Sequence, residues 1–312
     1  MIRGNLGIVV IGRNEAARLG ACLDAATGAA PAVVYVDSGS TDGSPDVARW
    51  RGVPVVALDA ALPFTAARAR NAGLAWLRRT RPGLEYVQFV DGDCELAPGW
   101  IDAARAFLAA HPDVATAAGR LRELDPGRSI YNALCNVEWD VPAGEAAAPG
   151  GVFLAREAAL AQAGDFREAL VAGEEPELAR RMQAAGWRHW RLDEAMATHD
   201  AALHRFAPWW HRMARSGCGF AQGSRLGGSE GPRPWAREIR SAFLWAVGLP
   251  LAVLASWPAV GAKGLILLLA YPAQAWRMAW RDPRLSRGQA LLLLLGKFAQ
   301  VAGYLRCRWR QP

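Results

Sequence analysis

The sequence lacks the cysteine spacings that hold structural metals or define a disulfide framework. Its 312 residues include five cysteines, and none of them forms a Cys-x-x-Cys pair. An odd number without regular spacing argues against a zinc site and against a disulfide scaffold. We therefore expect a reducing compartment for the five cysteines, which are Cys22, Cys94, Cys135, Cys218 and Cys307.

The N-terminal region also lacks the pattern of a secretory signal peptide. The apolar run at 6–12 is short, and it leads directly into Arg13-Asn14-Glu15 without a small-residue cleavage region. We interpret this run as the first strand of a domain in the cytosol.

No unbroken run of about 20 apolar residues, the length of a simple transmembrane helix, is present in the C-terminal third. Apolar segments at 242–258 and 264–280 are interrupted by Pro250, Pro258 and Pro272. They predict a helical hairpin over 242–280 that either crosses a membrane or lies in its interface. The stretch 289–305 predicts an amphipathic surface helix. The alternative is that all three segments are core helices of a soluble domain.

Acidic residues are scarce in the same third of the chain. Residues 201–312 carry 16 Lys and Arg but 3 Asp and Glu, whereas residues 1–200 carry 20 Arg and 26 Asp and Glu. Because the positive charges flank the apolar segments, they favour an anionic membrane surface as partner over nucleic acid. By the positive-inside rule, both outer ends of the hairpin face the cytosol. We therefore expect the chain at the cytosolic face of the cell (inner) membrane.

Residues 6–119 alternate strand and helix signals at the spacing of parallel βαβ units. Strands are predicted at 6–11, 33–36, 53–58 and 86–90, with a further strand at 150–154. The predicted organisation is an α/β domain over 1–223, a Gly-, Ser- and Pro-rich linker over 224–236, and membrane-associated helices over 237–312. Sheets of this kind bind ligands at the carboxyl ends of their strands.

Two aspartates follow the predicted strand at 86–90. Asp91 and Asp93 are two residues apart, so their side chains share one face of an extended segment, and Gly92 permits a tight turn between them. Carboxylates that converge in this way bind hard cations. The alternative is an ordinary turn, in which Asp and Gly are also common.

Several motifs occur in a fixed order along the chain. They are IGRNEAARL (11–19), VDSGSTDGS (36–44), ARNAGL (69–74), FVDGDCEL (89–96), GGVFLAR (150–156), GDFREAL (164–170), GEEPELARRM (173–182) and ATHDA (197–201). This order resembles the family 2 glycosyltransferases, inverting enzymes that use nucleotide-activated sugars. It implies the GT-A fold, a Rossmann-like, mostly parallel sheet flanked by helices. The resemblance covers about residues 6–200.

The resemblance also implies roles for individual residues. Asp91, Asp93 and His199 would bind Mg²⁺ or Mn²⁺, although His199 is equally well read as an ordinary polar residue. Glu175 would be the general base, next to Glu174, at a position where the family usually has aspartate. The residues that would bind the donor are Asn14, Glu15, Asp37, Gly39, Asp42, Arg70, Asn71 and Asp91.

The expected function is therefore transfer of a sugar from a UDP- or GDP-sugar to a lipid-linked or growing glycan. Adjacent helical residues point about 100° apart, so Glu174 and Glu175 do not form the facing pair of a glycoside hydrolase. Two alternatives remain open. One is a nucleotidyltransferase that makes a nucleotide-sugar, although the expected Gly-rich triphosphate loop is missing. The other is a degenerate domain that acts as a membrane scaffold.

Overall fold

Short apolar segments of the N-terminal half form a parallel sheet, as the sequence predicts. The computed structural model describes residues 5–226 and 235–310. Within these ranges the strands are β1 (Leu6–Gly12), β2 (Val33–Asp37), β3 (Val55–Ala57), β4 (Tyr86–Asp91), β5 (Cys94–Leu96), β6 (Val114–Glu123), β7 (Gly144–Glu145), β8 (Phe153–Arg156) and β9 (Arg188–His199). Most of the linker predicted at 224–236 lies outside the described residues.

One sheet contains all these strands, in the order β3-β2-β1-β4-β8-β6-β9-β5, with β7 paired to β9. The first four strands in this order are mutually parallel, and β6 and β9 are also parallel. Strand β8 runs antiparallel to both β4 and β6. The expected mixed α/β class with a largely parallel central sheet is therefore confirmed.

The helices follow from apolar periodicity and local capping. They are α1 (Ala16–Ala29), α2 (Ser44–Trp50), α3 (Ala66–Thr80), α4 (Trp100–Ala110), α5 (Ile130–Trp139), α6 (Glu157–Ala163), α7 (Glu174–Ala184), α8 (Phe206–Arg225), α9 (Ala236–Phe243), α10 (Leu249–Val260), α11 (Ala270–Arg281) and α12 (Arg287–Arg310). A π-helical turn at 244–248 joins α9 to α10, and a 3₁₀ segment at 261–269 joins α10 to α11.

Two details differ from the sequence prediction. By residue type and position Asn14 is a candidate cap for α1, but it has a left-handed φ of 60°, and Glu15 takes the N-cap position without a side-chain cap. The strand expected at 150–154 begins instead at Phe153, because Gly150 turns the backbone with a φ of 91°. The turn places the next residue, Gly151, close to Asp91.

Contacts within the chain define two units. The first contains residues 1–125, 138–170 and 174–201, and its core surrounds the sheet. The second contains residues 126–137, 171–173 and 202–312. The domain boundaries predicted at 223 and 236 remain a prediction.

In the second unit, α8 and α12 approach each other through glycines. A Cβ atom built at Gly217 would lie 1.9 Å from the backbone oxygen of Gln300, and one at Gly303 would lie 1.8 Å from that of Ala214. Small residues that allow backbones to approach this closely are typical of helix pairs in membranes. The same contact joins Cys218 and Cys307 in a disulfide with a Cα separation of 5.3 Å.

The expectation that all the cysteines are reduced is therefore wrong for this pair. Residues 218 and 307 are 89 positions apart, so no local spacing could indicate that two helices bring them within disulfide range. Cys22, Cys94 and Cys135 are buried and form no disulfide among the described residues.

The C-terminal helices expose most of their apolar surface. The stretches Ala236–Arg281 and Arg287–Trp309 are long and apolar enough to cross a membrane by length and composition, and only 6% of the first one's apolar window is buried. Gly261 ends α10 with a φ of 56°, and the following 3₁₀ segment folds back along α10. A core helix of a soluble protein would bury much more of its apolar surface.

Candidate active site

The Asp91-Gly92-Asp93 turn connects β4 to β5 at the carboxyl edge of the parallel strands. The Gly92 amide donates to the backbone oxygen of Ile11 at 2.7 Å. A Cβ at position 92 would lie 3.2 Å from that oxygen, so glycine permits the close approach that holds the turn against β1. Both carboxylates are thereby presented at one sheet edge.

His199, the last residue of β9, lies beside Asp93. Its Nε2 is 3.4 Å from Asp93 Oδ2, and its Nδ1 is 3.4 Å from Oε2 of Glu123. Glu123, at the end of β6, is fully buried and also accepts a hydrogen bond from the Ala201 amide at 3.1 Å. The Trp139 ring packs edge-on against the imidazole, with 4.2 Å between the ring centres. These contacts fix His199 with Nε2 directed at Asp93.

The charges around His199 suit a cation. Burial opposes the positive form of the imidazole, but the hydrogen bond to Glu123 and the charges of Asp93 and Asp91 outweigh it and raise the pKa of His199. A site that favours a proton in this way has a negative potential, and it would attract a metal ion for the same reason.

The available donor atoms fit a hard divalent cation. Ligand atoms of Asp93, Cys94 and His199 lie within 4.8 Å of one another. Burial and the neighbouring Asp93 raise the pKa of the Cys94 thiol well above its usual value, so Cys94 stays protonated and is a poor ligand. Carboxylate and imidazole remain, and carboxylate-rich sites suit Mg²⁺ or Mn²⁺.

Arg70, on α3, gathers the other acidic residues of the site. Its buried guanidinium places Nη1 at 2.8 Å from Glu174 and 2.9 Å from Glu175, and Nη2 at 3.3 Å from Asp91. Helix α3 begins at the Thr65 cap, whose hydroxyl accepts from the Arg68 amide. The sequence predicted Arg70 in the donor pocket, and the structure shows it buried beneath three carboxylates.

The guanidinium of Arg70 carries one positive charge, so it cannot neutralise all three carboxylates. Burial is the main cause that raises the pKa of Glu174 to about 7, and the charge of Glu175 adds to it against the effect of Arg70. Burial likewise raises the pKa of Asp91 to about 6, with Asp93 and Glu175 contributing and Arg70 opposing. Crowded acids of this kind are typical of functional sites.

Gly151 packs closely against these side chains. A Cβ at this position would lie 3.0 Å from Asp91 Oδ2, 3.5 Å from Arg70 Nη2 and 3.7 Å from Glu175 Oε1. Side chains from β4, α3 and α7 therefore converge on this position, and the absence of a Cβ leaves room for them. Glu175 lies in the first turn of α7, where Pro176 is compatible with a helix start.

Other predicted donor-binding residues hold two loops together. Asn14 Oδ1 accepts from the Thr41 amide at 2.8 Å, and Asp42 Oδ2 accepts from the Ala16 amide at 2.9 Å. These bonds join the loop after β1 to the loop after β2. Glu15 pairs with Arg18, and burial followed by the charge of Asp93 raises the pKa of Glu15 to about 7.

The carboxylate of Asp37 is engaged by its own loop. Its Oδ2 accepts from the amides of Gly39 and Ser40, each at 3.0 Å, and its Oδ1 accepts from the Tyr35 hydroxyl at 3.1 Å. A left-handed φ of 76° at Gly39 allows this turn. Asp37 and Gly39 thus shape the edge at the end of β2.

Asn71, next to Arg70 on α3, is hydrogen-bonded to the loop that precedes α7. Its side chain donates to the Phe166 oxygen at 2.9 Å and accepts from the Phe166 amide at 3.0 Å. It therefore supports the loop that precedes α7, and its predicted role in donor binding stays a prediction.

Sequence reasoning missed three residues of the site: Glu123, Trp139 and Gly151. Glu123 and Trp139 belong to the stretch 120–148, which no motif covered. The parallel pairing of β6 with β9 places Glu123 opposite His199, and this pairing spans 76 residues. Gly151 belongs to a recognised motif, but its contact with Asp91 depends on three separate elements.

Comparison with known proteins agrees with the fold and the motif order. Residues 7–147 match the family described as Glycosyl transferase family 2. The match ends before Gly151, Glu174, Glu175 and His199. No curated protein sequence matches the chain.

Solved structures resemble the whole chain at low identity. A mannosyltransferase from Pyrobaculum calidifontis in complex with GDP-Man and Mn2+ is 19% identical, with a TM-score of 0.64, over 99% of this chain and 88% of that one. TarS from S. aureus is 16% identical, with a TM-score of 0.50, over 98% of this chain and 91% of that one. At these identities the likeness concerns the fold. Together with the family match, it shows that this chain carries a glycosyltransferase domain of family 2 with the GT-A fold.

Proposed function

We propose that this protein is a membrane-associated, inverting glycosyltransferase that moves a sugar from a UDP- or GDP-sugar to a hydroxyl group of a lipid-linked or growing glycan. The observation that carries the proposal is the cluster of acidic residues itself. Asp93 and His199 lie 3.4 Å apart, and Arg70 holds Asp91, Glu174 and Glu175 at the same sheet edge. A family 2 domain supplies the reaction class.

The donor side of the site, at Asp93 and His199, would hold a nucleoside diphosphate. A divalent cation bound by Asp93 and His199, with Asp91 nearby, would neutralise negative charge on the diphosphate as it leaves. The similar mannosyltransferase was solved with GDP-Man and Mn2+, which supports a nucleotide-sugar and a divalent ion here. The loops after β1 and β2, with Asn14, Asp37 and Asp42, would border the nucleotide.

Glu175 would act on the acceptor. Its carboxylate takes the proton of the acceptor hydroxyl, the oxygen forms a bond to the anomeric carbon, and the bond from that carbon to the diphosphate oxygen breaks. The electron pair of that bond leaves with the nucleoside diphosphate. Because the new bond forms on the face opposite the leaving group, the anomeric configuration inverts.

The geometry favours Glu175 over Glu174 as the base. Glu174 is the more buried of the two, and its raised pKa of about 7 makes it the carboxylate that tends to hold a proton. Glu175 is the more exposed of the two, with 14% of its side chain accessible against 6% for Glu174, and is therefore the one that an acceptor hydroxyl would reach. Pairs of carboxylates whose environments differ in this way commonly divide the acid and base roles.

The experiment that tests this function combines two readouts. Purified protein is incubated with Mn²⁺, radiolabelled UDP- and GDP-sugars and a panel of lipid and glycan acceptors. The proposal predicts that nucleoside diphosphate release equals labelled product and that the product has the opposite anomeric configuration. Formation of pyrophosphate from a sugar 1-phosphate and a nucleoside triphosphate would instead indicate a nucleotidyltransferase.

Glu123, which contacts Nδ1 of His199, provides a second test that does not require turnover. Glu123→Gln keeps the shape of the side chain but removes the charge that orients Nδ1 of His199. We expect Mn²⁺ affinity, measured by calorimetry, to fall about 10- to 100-fold, which is the usual cost of losing such a supporting carboxylate. Glu194→Gln, an exposed substitution on the same strand β9, is the matched control. Unchanged affinity in Glu123→Gln would remove Glu123 from the site.

The second unit supports the proposed membrane association. Leu254, Ile266 and Leu269 are 66%, 68% and 61% exposed, and arginines flank the hairpin that contains them. Exposed apolar surface with a basic border fits an anionic bilayer. The arginines at both outer ends would keep these ends in the cytosol, with the apolar segments at the inner membrane.

We expect full-length protein to sediment with phosphatidylglycerol vesicles, and the triple substitution of Leu254, Ile266 and Leu269 by asparagine to weaken this binding at least tenfold. Replacing Trp50 and Leu62, which are 90% and 55% exposed in the first unit, should leave binding unchanged. A wild-type protein that stays in solution without detergent or vesicles would contradict membrane association.

A further inference from the structure

Trp235, directly before α9, has an unusual backbone conformation. Its φ is 57°, in the left-handed region that bulky residues rarely adopt. Such strain persists only where the surrounding structure imposes it. The cause here is the indole, which lies between two glycines. A Cβ at Gly223 would be 2.1 Å from Trp235 Cζ3, and one at Gly173 would be 3.2 Å from Trp235 Cζ2.

Gly173 belongs to a three-residue segment, 171–173, that lies within the second unit. The Val171 amide donates to Gln222 Oε1 at 2.8 Å. A Cβ at Gly219 would lie 2.7 Å from the backbone oxygen of Ala172, so this residue is held closely against α8. Gly173 has a φ of 82° and packs on the Trp235 ring. Three independent contacts therefore fix the backbone of this segment.

The next residue in the chain is Glu174, and Glu175 follows it. The segment 171–173 therefore sets where the backbone of α7 begins. We propose that Trp235 is a positioning residue for the carboxylates of Glu174 and Glu175, and that it makes sugar transfer depend on the helix that leads into the apolar hairpin. This inference rests on the proposed function, because the role of Glu175 comes from there.

The physical argument concerns placement of a reacting group. A carboxylate that takes a proton must lie within hydrogen-bond distance of it, and a misplacement of about 1 Å can lower the rate about 100-fold. Removing the indole would take away the ring that packs on Gly173, whose backbone is in the left-handed region. The start of α7 would then vary in position. Asp93 and His199 come from other strands, so the donor side should be unaffected.

The test uses the full-length protein with two substitutions, Trp235→Ala and Trp235→Phe. We expect Trp235→Ala to lower kcat at least tenfold and to leave binding of Mn²⁺ and nucleoside diphosphate within twofold of wild type. Trp235→Phe, which keeps a ring between the two glycines, should recover most of kcat. Trp50→Ala, at a residue of α2 that is 90% exposed, is the matched control and should behave like wild type.

Amide hydrogen exchange provides a readout that does not require turnover. Trp235→Ala should speed exchange in residues 171–178 and leave residues 86–96 unchanged. Unchanged exchange in 171–178 would overturn the inference, and so would faster exchange there with an unaltered kcat. A uniform rise in exchange across the first unit would show general unfolding and would also overturn it.

These outcomes separate the inference from the proposed function. If wild-type protein transfers no sugar from any donor, the proposed function fails, while the exchange experiment still decides whether Trp235 fixes the start of α7. If wild type is active and Trp235→Ala is equally active, the function stands and the positioning role fails.

Discussion

Replacing Asp93 with alanine should lower the rate of metal-dependent sugar transfer about 1000-fold. The substitution removes the carboxylate that we assign to the cation and leaves His199 without its partner at 3.4 Å. A bound cation contributes several kcal/mol to stabilising charge on a leaving group, and about 4 kcal/mol corresponds to a factor of about 1000. The measurement is kcat/KM for the donor at saturating Mn²⁺.

The control for this substitution is Asp46→Ala. Asp46 is 67% exposed on α2 and pairs with Arg49, so its loss should change the rate less than twofold. Mn²⁺ affinity, measured on both variants, should fall only in Asp93→Ala. If Asp93→Ala transfers sugar at the wild-type rate, the assignment of the cation to this turn is wrong.

Glu175→Gln should lower kcat by about 100- to 10,000-fold, the usual contribution of a general base. Glutamine keeps the size of the side chain and a hydrogen bond to Arg70, so donor binding should be retained. Glu174→Gln, the neighbouring substitution on the same guanidinium, should keep kcat within about tenfold of wild type. Both glutamates pair with Arg70, so a difference in kcat between the two variants reports the loss of proton transfer and not the loss of the ion pair.

The reverse ranking would exchange the two roles. If Glu174→Gln loses activity and Glu175→Gln does not, Glu174 is the base. The positioning role of Trp235 would still hold, because both glutamates follow the segment 171–173. Equal activity of both variants and wild type would exclude a carboxylate base on α7.

The sequence predicted the parts of this fold that depend on local patterns. Strand β1 reads as an apolar run because both of its faces are buried, and the cap of α3 reads directly from Thr65. The carboxyl edge of the sheet follows from the βαβ order, and this is why Asp91 and Asp93 were expected there. Motif order then indicated the family.

What the sequence could not show depends on residues far apart in the chain. Arg70 contacts Glu174 across 104 positions, and nothing in the motif around Arg70 indicates that it is buried among carboxylates. The Glu123–His199 contact follows from a parallel pairing that joins two distant strands. The Cys218–Cys307 disulfide and the Trp235 contact with Gly173 likewise join residues that are far apart in the chain. Periodicity within one segment carries no information about such pairings.

The most direct test of the central claim is the location of the metal ion. A crystal of the wild-type protein soaked with Mn²⁺ and a nucleoside diphosphate is measured at the manganese absorption edge, so that anomalous scattering identifies the ion. We predict one strong peak between the Asp93 carboxylate and His199 Nε2, with the diphosphate against it. A peak elsewhere, or nucleotide bound with no ion at Asp93, would contradict the proposed active site.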